Sequence, residues 1–455
     1  MRLSNANLAA LASGVTPPRY DREAHGVGIV HFGIGAFHRA HMAAYTDDVM
    51  AADGGDWRIL GVSLRSPGVR DQMRPQDGLY SLVERSKSGS KAHIIGAVAD
   101  VLVASEERQR LIAALAAPKT HIVSFTITEK GYCRAPDGSL DLVLADDRSA
   151  YSYLAEALAQ RRDAGLPGLT LLSCDNLSGN GGQLARLMRA YLAHHAPDLT
   201  DWFDSHCACP STMVDRIVPA TTEEDRSEIQ TLIGMRDEAA VVTEPFSQWV
   251  IEDNFAGPRP AWEKHGAQMT ANVHAFENAK LRMLNGAHSA LAYLGLQRGH
   301  EFVHQAIADP ELRPAIERLM REEAATSLVP AEGQDLDAYA DALIERFRNP
   351  ALNHRLIQIA MDGSQKIPQR WLETLAAHQA QGGQCPAIIS AIAAWLLHIR
   401  GDNGIVDDPM AQTLKAAWEQ AGASQVAKAI FSGDGPLAGT WEPTAADLEL
   451  INAKL

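Results

Sequence analysis

The sequence predicts an α/β protein with a doubly wound parallel sheet in its N-terminal part and a mainly α-helical C-terminal domain. Through the first 271 residues, short apolar runs alternate with helical stretches, as in sheets whose parallel strands are joined by crossover helices. From 272 to 455, long Ala- and Leu-rich helical segments follow with few strand-like runs. This change of pattern predicts two domains, 1–271 and 272–455.

Four apolar runs closed by turn residues predict the strands of the sheet, at 28–33, 57–64, 121–128 and 169–176. Helical periodicity lies between the later runs, at 108–117 and 148–162. A Pro- and Gly-rich stretch, 252–266, marks the end of the first domain. The helices predicted after it are 277–296, 300–307, 313–324, 336–347, 370–379, 387–400 and 409–420.

Composition and charge limit the classes of partner. The chain has 455 residues and a formal net charge of −15, which disfavours nucleic acid and anionic membranes because both are bound through clustered Lys and Arg. The longest nearly apolar run, 387–399, is shorter than the ~20 residues of a membrane span. The N-terminus lacks the apolar region of a secretory signal, and the cysteines are few and odd in number. We therefore expect a cytoplasmic protein.

The segment "VHFGIGAFHRAH" (30–41) follows the first predicted strand and opens a helix. Such a turn brings backbone N–H groups against a pyrophosphate, which indicates a Rossmann-like dinucleotide-binding domain over 1–271. His38 stands at the third glycine position of the usual G-x-G-x-x-G pattern, so a turn that uses glycine only for its conformation fits equally well. The candidate cofactor-binding residues in this segment are Gly33, Ile34, Gly35, Phe37 and Arg39.

The segment after the second predicted strand bears on the choice between NAD and NADP. An acidic residue there normally holds the ribose hydroxyls of NAD, but "GVSLRSPGVR" (61–70) contains Arg65 and Arg70 and no carboxylate. Arg65 is a candidate contact for a 2′-phosphate or for the adenine, and the alternative is an exposed loop arginine. NADP is therefore not excluded by the sequence.

The helix predicted over 277–296 carries Lys280, Asn285 and His288 among Leu and Ala residues. At about 100° per residue these side chains span an arc of about 140°, so they can line one side of a cleft. Desolvation lowers the pKa of a lysine, which suits Lys280 to exchange a proton with an alcohol or a carbonyl. Glu277 lies beside it on the helix surface. An amphipathic helix with a polar outer face fits the same spacing.

Two further segments bear on a possible ligand site and a possible metal site. Asn176 ends the fourth predicted strand, and the ligand crevice of an open parallel sheet lies beyond such strand ends, although an Asn in a turn more often bonds its local backbone. The segment "HCACP" (206–210) lacks a second pair of ligands at metal-site spacing, so no metal site is predicted.

Segments spread over nearly the whole chain resemble the mannitol dehydrogenase family of polyol-specific long-chain dehydrogenases. They are "GIGAFHRAH" (33–41), "TITEKGY" (126–132), "SCDN" (173–176), "MVDRIVP" (213–219), "EPFSQWVIEDNF" (244–255), "KLRMLNGAHSALAYLG" (280–295) and "DGSQKIPQR" (362–370). The resemblance implies an NAD-dependent, metal-independent oxidoreductase that acts on a CH–OH group. One departure concerns the cofactor, since Pro67 and Gly68 stand where mannitol 2-dehydrogenases have an acidic pair.

The same resemblance implies roles for individual residues. Lys280 matches the catalytic acid/base, Asn176 and Asn285 match the pair that polarises the substrate oxygen, and Glu277 matches a carboxylate that assists proton passage. The residues that match substrate-contacting positions are His288 and Asp215.

Within the family, "WVIEDNF", "KLRMLNG" and "QIAMDGSQKIPQR" are most similar to the fructuronate reductase group, whose members are also called D-mannonate oxidoreductases. Mannitol 2-dehydrogenases have an arginine at the position of Gln358 and an apolar residue at that of Arg370. A hexuronate carries a carboxylate that mannitol lacks, and Lys366 with Arg370 can offer it charge-assisted hydrogen bonds. The alternative is that Arg370 begins a helix and faces water.

The resemblance therefore implies reversible reduction of D-fructuronate to D-mannonate in hexuronate catabolism. Mannitol 2-dehydrogenase or another polyol dehydrogenase activity is the nearest alternative, and a non-catalytic nucleotide-binding sensor is the alternative from another class. The expected partner is a small sugar acid or polyol, and the expected assembly is a monomer or a small homo-oligomer.

Overall fold

The computed structural model describes residues 1–351, 353–439 and 441–455 and divides into two compact units. Unit 1 is Met1–Val273 and unit 2 is His274–Leu455. Among the described residues, no helix has both the length and the apolar character needed to cross a membrane.

Unit 1 is built on a five-stranded sheet in the order β5-β2-β1-β6-β7, in which every neighbouring pair is parallel. This arrangement confirms the α/β fold with a doubly wound parallel sheet. The strands of the unit are β1 (Val27–Phe32), β2 (Arg58–Ser63), β3 (Tyr80–Ser86), β4 (Gly89–Ile95), β5 (Val98–Val103), β6 (Ile122–Phe125), β7 (Thr170–Ser173), β8 (Thr212–Asp215), β9 (Val241–Thr243), β10 (Gln248–Glu252) and β11 (Gln268–Thr270).

Helices cover both faces of the parallel sheet. The helices of unit 1 are α1 (Ala36–Ala40), α2 (Met42–Asp53), α3 (Gly68–Met73), α4 (Arg108–Ala116), α5 (Thr128–Gly131), α6 (Ala150–Asp163), α7 (Asn180–His195), α8 (Thr200–His206) and α9 (Glu223–Ile233), of which α9 packs against the strands β3, β4 and β9 instead. Val30 and Phe32 of β1 pack with α4, α6 and α7, while Ile29 packs with α2. Continuous apolar runs are typical of strands buried on both faces of a sheet, which explains why β1, β2, β6 and β7 were predictable. The fifth strand, β5, was not predicted, and Ala99 and Asp100 interrupt its buried pattern.

Two small sheets in unit 1 were not predicted. One has the order β4-β3-β9 and the other the order β11-β10-β8. The β3–β4 hairpin mixes buried residues with exposed polar ones, and β9 and β11 have three residues each, so neither presents an apolar run of diagnostic length.

The described part of unit 2 consists of helices joined by turns and loops. Its helices are α10 (Val273–Ala279), α11 (Gly286–Gln297), α12 (Val303–Ala308), α13 (Arg313–Arg318), α14 (Leu336–Phe347), α15 (Leu356–Ile359), α16 (Gly363–Ile367), α17 (Glu373–Gln379), α18 (Pro386–Arg400), α19 (Ala411–Ala421), α20 (Val426–Phe431) and α21 (Ala445–Asn452). The buried helix α18 packs against α11, and together they form the centre of the hydrophobic core.

Three segments of unit 2 are π-helical: π1 (Lys280–Asn285), π2 (Leu319–Ala324) and π3 (Pro368–Leu372). The prediction of one regular α-helix over 277–296 was therefore wrong in its geometry, because π1 separates α10 from α11. The N–H of Gly286 donates to the carbonyl of Leu281, five residues earlier. In π geometry, residues five apart lie nearly above one another on successive turns. The angle of about 140° that an α-helix would put between Lys280 and Asn285 therefore does not apply.

The carboxylate of Glu323, in π2, supports the N-terminus of α18. It accepts hydrogen bonds of 2.8 Å from the N–H groups of both Ala387 and Ile388, and the Glu323 side chain is 2% exposed. These N–H groups lie in the first turn of a helix, where they have no carbonyl partner within the helix. Burial raises the pKa of Glu323, and the two N–H donors oppose that rise.

We expect Glu323→Ala to destabilise the protein by about 1–3 kcal/mol, because two buried N–H donors lose their acceptor. Urea unfolding measures the change. The matched control is Glu322→Ala, since Glu322 is exposed and pairs with Arg318 at the surface. A control loss as large as the Glu323 loss would contradict the role given to this carboxylate.

Candidate active site

The turn after β1 depends on a glycine at position 33. Gly33 has a φ of +94°, and a Cβ built there would lie 2.1 Å from the carbonyl oxygen of Thr126. Gly35 has a φ of −77°, and the nearest atom to a Cβ at that position is 3.8 Å away. Gly33 is therefore required by the backbone, whereas Gly35 leaves open space beside the turn.

Buried polar groups behind the turn fix its position. Thr126 donates its hydroxyl to the Gly33 carbonyl at 2.6 Å, and His31 bonds both Thr126 and Ser124, at 2.9 and 2.8 Å. The ring of His38 stacks on that of His31 with centroids 3.3 Å apart. Burial lowers the pKa of His31 to about 3 and that of His38 well below its usual value, so both rings are neutral at pH 7. His38, at the third glycine position, thus packs inside unit 1.

The other predicted cofactor-binding residues differ in their exposure. Ile34 is buried, and its side chain occupies the space that a Cβ on Gly61 would need. Phe37 is half-buried and stacks on His41. Arg65 is exposed on the loop after β2, which agrees with the alternative of an exposed loop arginine.

The Arg39 side chain is directed into unit 1. Its guanidinium is buried, donates to the carbonyls of Ala239 and Gly35, and lies 5.5 Å from the centre of the Tyr80 ring. These inward bonds make Arg39 a support of the turn. Arg70 is likewise engaged, in ion pairs with Asp71 and Glu106.

At the carboxyl ends of β6 and β7, Asp175 joins the two following loops. Its carboxylate accepts hydrogen bonds from the N–H groups of Ile127 and Thr128, at 2.9 and 3.1 Å, and from the Tyr132 hydroxyl at 2.9 Å. Burial raises the pKa of Asp175. Asn176 follows directly, so its backbone position is set by a bonded neighbour.

Asn180 continues this support from the start of α7. Its side chain donates to the carbonyls of Asp175 and Thr212, both at 3.0 Å, and accepts from the N–H of Thr212 at 2.8 Å. It thereby links the end of β7 to β8, the strand that ends at Asp215. Sequence reasoning missed Asp175 and Asn180, although both lie in or next to the quoted motif "SCDN".

In unit 2, the predicted catalytic residues lie in and beside π1. Lys280 is the first residue of π1 and Asn285 the last, and both are half-buried. Glu277 is half-buried in α10, with its carboxylate 3.4 Å from His274. π-helical turns are frequent at functional sites, and π1 contacts both π2 and π3.

His288 lies in α11 against the rings of Phe347 and His354, each 5.2 Å away between centroids. Its Nε2 atom is buried and has no hydrogen-bond partner among the described residues. Burial lowers the pKa of His288 well below its usual value, and His354 and Arg370 lower it further. A neutral imidazole with a free nitrogen can still donate or accept one hydrogen bond.

In the described part of unit 2, Lys366 and Arg370 form no direct ion pair with a carboxylate, although Asp362 and Asp408 act on Lys366 from a longer distance. Lys366 donates to the carbonyls of Ile359 and Met361. Arg370 donates through Nη1 to the carbonyl of Asn285 at 3.2 Å and to the hydroxyl of Ser289 at 2.7 Å. Burial lowers the pKa of Arg370 to about 10 and also lowers that of Lys366. Arg370 is half-buried and lies inside π3, bonded to α11, so it neither begins a helix nor simply faces water.

Of the described residues, no three His, Cys, Asp or Glu side chains are grouped in a way that would hold a metal ion. The five cysteines are free thiols.

Two family profiles match this chain and together span most of it. The profile of the mannitol dehydrogenase Rossmann domain matches residues 27–264. The profile of the mannitol dehydrogenase C-terminal domain matches residues 272–434.

Individual relatives agree with the profiles. A D-mannonate oxidoreductase of Escherichia coli (strain K12) is 42% identical over 443 residues, which cover 92% of this chain and 91% of that protein. A mannitol 2-dehydrogenase of Phaeosphaeria nodorum is 39% identical over 457 residues, covering 95% and 80%. The solved ternary complex of Pseudomonas fluorescens mannitol 2-dehydrogenase with NAD and D-mannitol is 35% identical, with a TM-score of 0.81 and coverage of 100% and 96%. The chain belongs to the mannitol dehydrogenase family of oxidoreductases.

Proposed function

We propose that this enzyme reduces D-fructuronate to D-mannonate, reversibly and with NADH. The observation that carries the choice of a sugar acid is the pair Lys366 and Arg370, two partly buried cations that bond neutral acceptors only. A substrate carboxylate would compensate this charge through charge-assisted hydrogen bonds. A polyol has no carboxylate and would offer the two cations no such bonds.

The residues after β1 fit a dinucleotide. Gly33 and Gly35 form an open turn at the end of a parallel strand, where backbone N–H groups can hold a pyrophosphate. Ile34 and Arg39 support this turn, Phe37 lies at its rim, and Arg65 is free to meet the adenosine end. Bound NADH supplies the hydride. The absence of a carboxylate after β2 makes NADPH the cofactor to compare, and we expect the reaction to take place in the cytoplasm.

The proposed chemistry of the chain is a proton transfer coupled to oxyanion stabilisation. Asn176 and Asn285 donate amide hydrogens to the carbonyl oxygen as it gains negative charge. Protonated Lys280 gives that oxygen its proton, and Glu277 assists return of a proton to the lysine. In the reverse direction, neutral Lys280 takes the hydroxyl proton. Reduction therefore requires the protonated lysine and oxidation the neutral one.

Asp215 and His288 are assigned to the substrate hydroxyls. A carboxylate at the end of β8 accepts hydrogen bonds from hydroxyl groups, and the unpartnered Nε2 of His288 can bond one more. Both residues are proposed to orient the sugar and to take no part in proton transfer.

Paired assays test the substrate. We expect kcat/KM with NADH to be at least about tenfold higher for D-fructuronate than for D-fructose, because one charge-assisted hydrogen bond is worth about 1.5–3 kcal/mol. Lys366→Met should reduce this ratio, whereas Lys415→Met should not, since Lys415 is exposed. Efficient fructose reduction with negligible fructuronate turnover would refute the substrate and favour mannitol 2-dehydrogenase activity.

Lys280→Ala tests the acid/base. We expect turnover to fall by about 10²–10⁴, the usual contribution of general acid–base catalysis, while NADH binding measured by fluorescence titration is retained. Unchanged turnover would remove the lysine from the mechanism, and absence of turnover in the unaltered protein would favour a nucleotide-binding sensor.

The variants Gly33→Ala and Gly35→Ala distinguish the part of the turn needed for the backbone conformation from the part proposed to bind the cofactor. Gly33→Ala should lower the thermal midpoint because its Cβ overlaps the Thr126 carbonyl. Gly35→Ala should keep the midpoint and weaken NADH binding, because its methyl group enters the open side of the turn. Equal NADH affinity for Gly35→Ala and the unaltered protein would show that the turn does not hold the pyrophosphate.

A further inference from the structure

Two consecutive side chains of π3 donate hydrogen bonds to two consecutive carbonyls at the junction of π1 and α11. Arg370 bonds the Asn285 carbonyl at 3.2 Å, and the indole N–H of Trp371 bonds the Gly286 carbonyl at 3.1 Å. Trp371 is fully buried. A carbonyl has two lone pairs, so each of these can accept a side-chain donor in addition to a helix bond.

Further hydrogen bonds hold the junction of π1 and α11 in place. Ser289, one turn later, accepts a second bond from Arg370 at 2.7 Å. Arg282, inside π1, donates to Glu373 at 2.9 Å and to Ser327. Gly286 lies directly against π3, since a Cβ built on it would be 3.4 Å from the Arg370 carbonyl oxygen and 3.5 Å from the indole nitrogen of Trp371. These contacts connect π1 to the residues that follow π2 and π3.

Pro368 is the first residue of π3. It lies within a continuous helical path from Gly363 to Gln379, and it has no N–H to bond the carbonyl of the preceding turn. Arg370 and Trp371 lie within the widened turn that begins at Pro368, and π3 contacts the equally widened turn of π1.

We propose that Trp371 and Arg370 are positioning residues that keep π1 in its widened form and thereby set the directions of Lys280 and Asn285. An α-helical turn over 280–285 would rotate these two side chains away from each other, since residues five apart share a side in π geometry and diverge in α geometry. The inference rests on the catalytic roles proposed for Lys280 and Asn285.

Trp371→Phe tests this role because it removes the N–H donor and retains an aromatic ring. We expect kcat for reduction to fall about 3- to 10-fold, as for loss of one neutral hydrogen bond, and the pH midpoint of kcat to shift, with the KM for NADH unchanged. The matched control is Trp418→Phe, which removes an indole bond of 2.7 Å to the Leu396 carbonyl elsewhere in unit 2. The control should leave the pH midpoint unchanged.

Ser289→Ala is the second variant, in case Trp371→Phe does not fold. It removes the hydroxyl acceptor of Arg370, and its control Ser390→Ala removes a hydroxyl that bonds the Pro386 carbonyl in α18. Amide hydrogen exchange over 280–289 should accelerate in Trp371→Phe and Ser289→Ala and stay unchanged in both controls.

Amide hydrogen exchange can be measured without turnover, so the catalytic role proposed for Lys280 and the positioning role proposed for Trp371 and Arg370 can fail separately. Unaltered activity of Lys280→Ala would overturn the catalytic assignment. Unchanged exchange, kcat and pH midpoint in the folded π3 and Ser289 variants would overturn the positioning role.

Discussion

Burial of the parallel sheet on both faces is the constraint on which the chemistry of unit 1 depends. Ile29, Val30 and Phe32 of β1 have no exposed surface, so a polar group within the strand must find its partner inside the protein. His31 does so through Ser124 and Thr126. Groups that are to meet a ligand are consequently restricted to the carboxyl ends of the strands, where Gly33 and Asn176 lie.

The burial of the sheet also explains which strands of unit 1 could be predicted from the sequence and which could not. Strands buried on both faces are continuous apolar runs, so β1, β2, β6 and β7 could be recognised from residues alone. The β3–β4 hairpin was missed because part of it is exposed and polar. Asp175 and Asn180 were missed because their contribution depends on bonds to three separate chain segments, and no spacing within one segment reveals such bonds.

Arg370, which is half-buried, uses its donors differently from the buried Arg22 and Arg161. Arg22 bonds through all three guanidinium nitrogens, to Gly96, Val98, Asp77 and Asn5. Arg161 bonds three carbonyls through two nitrogens. Arg370 bonds the described residues through Nη1. The remaining donors of Arg370 are available for the substrate carboxylate proposed as its ligand, in addition to the bonds that Arg370 makes at the π1 junction. Removal of the positive charge would affect both proposed roles together.

The spacing of Lys280 and Asn285 shows what a helical period can and cannot establish. An offset of five is awkward on an α-helix, since it places the two side chains on different sides, and the pattern alone gave no reason to depart from 3.6 residues per turn. The reason lies about 85 residues along the chain, in a proline-containing segment whose donors meet the carbonyls of Asn285 and Gly286. Once the turn between the two residues is widened by one residue, an offset of five brings them to the same side of the helix, as the substrate oxygen proposed for both requires.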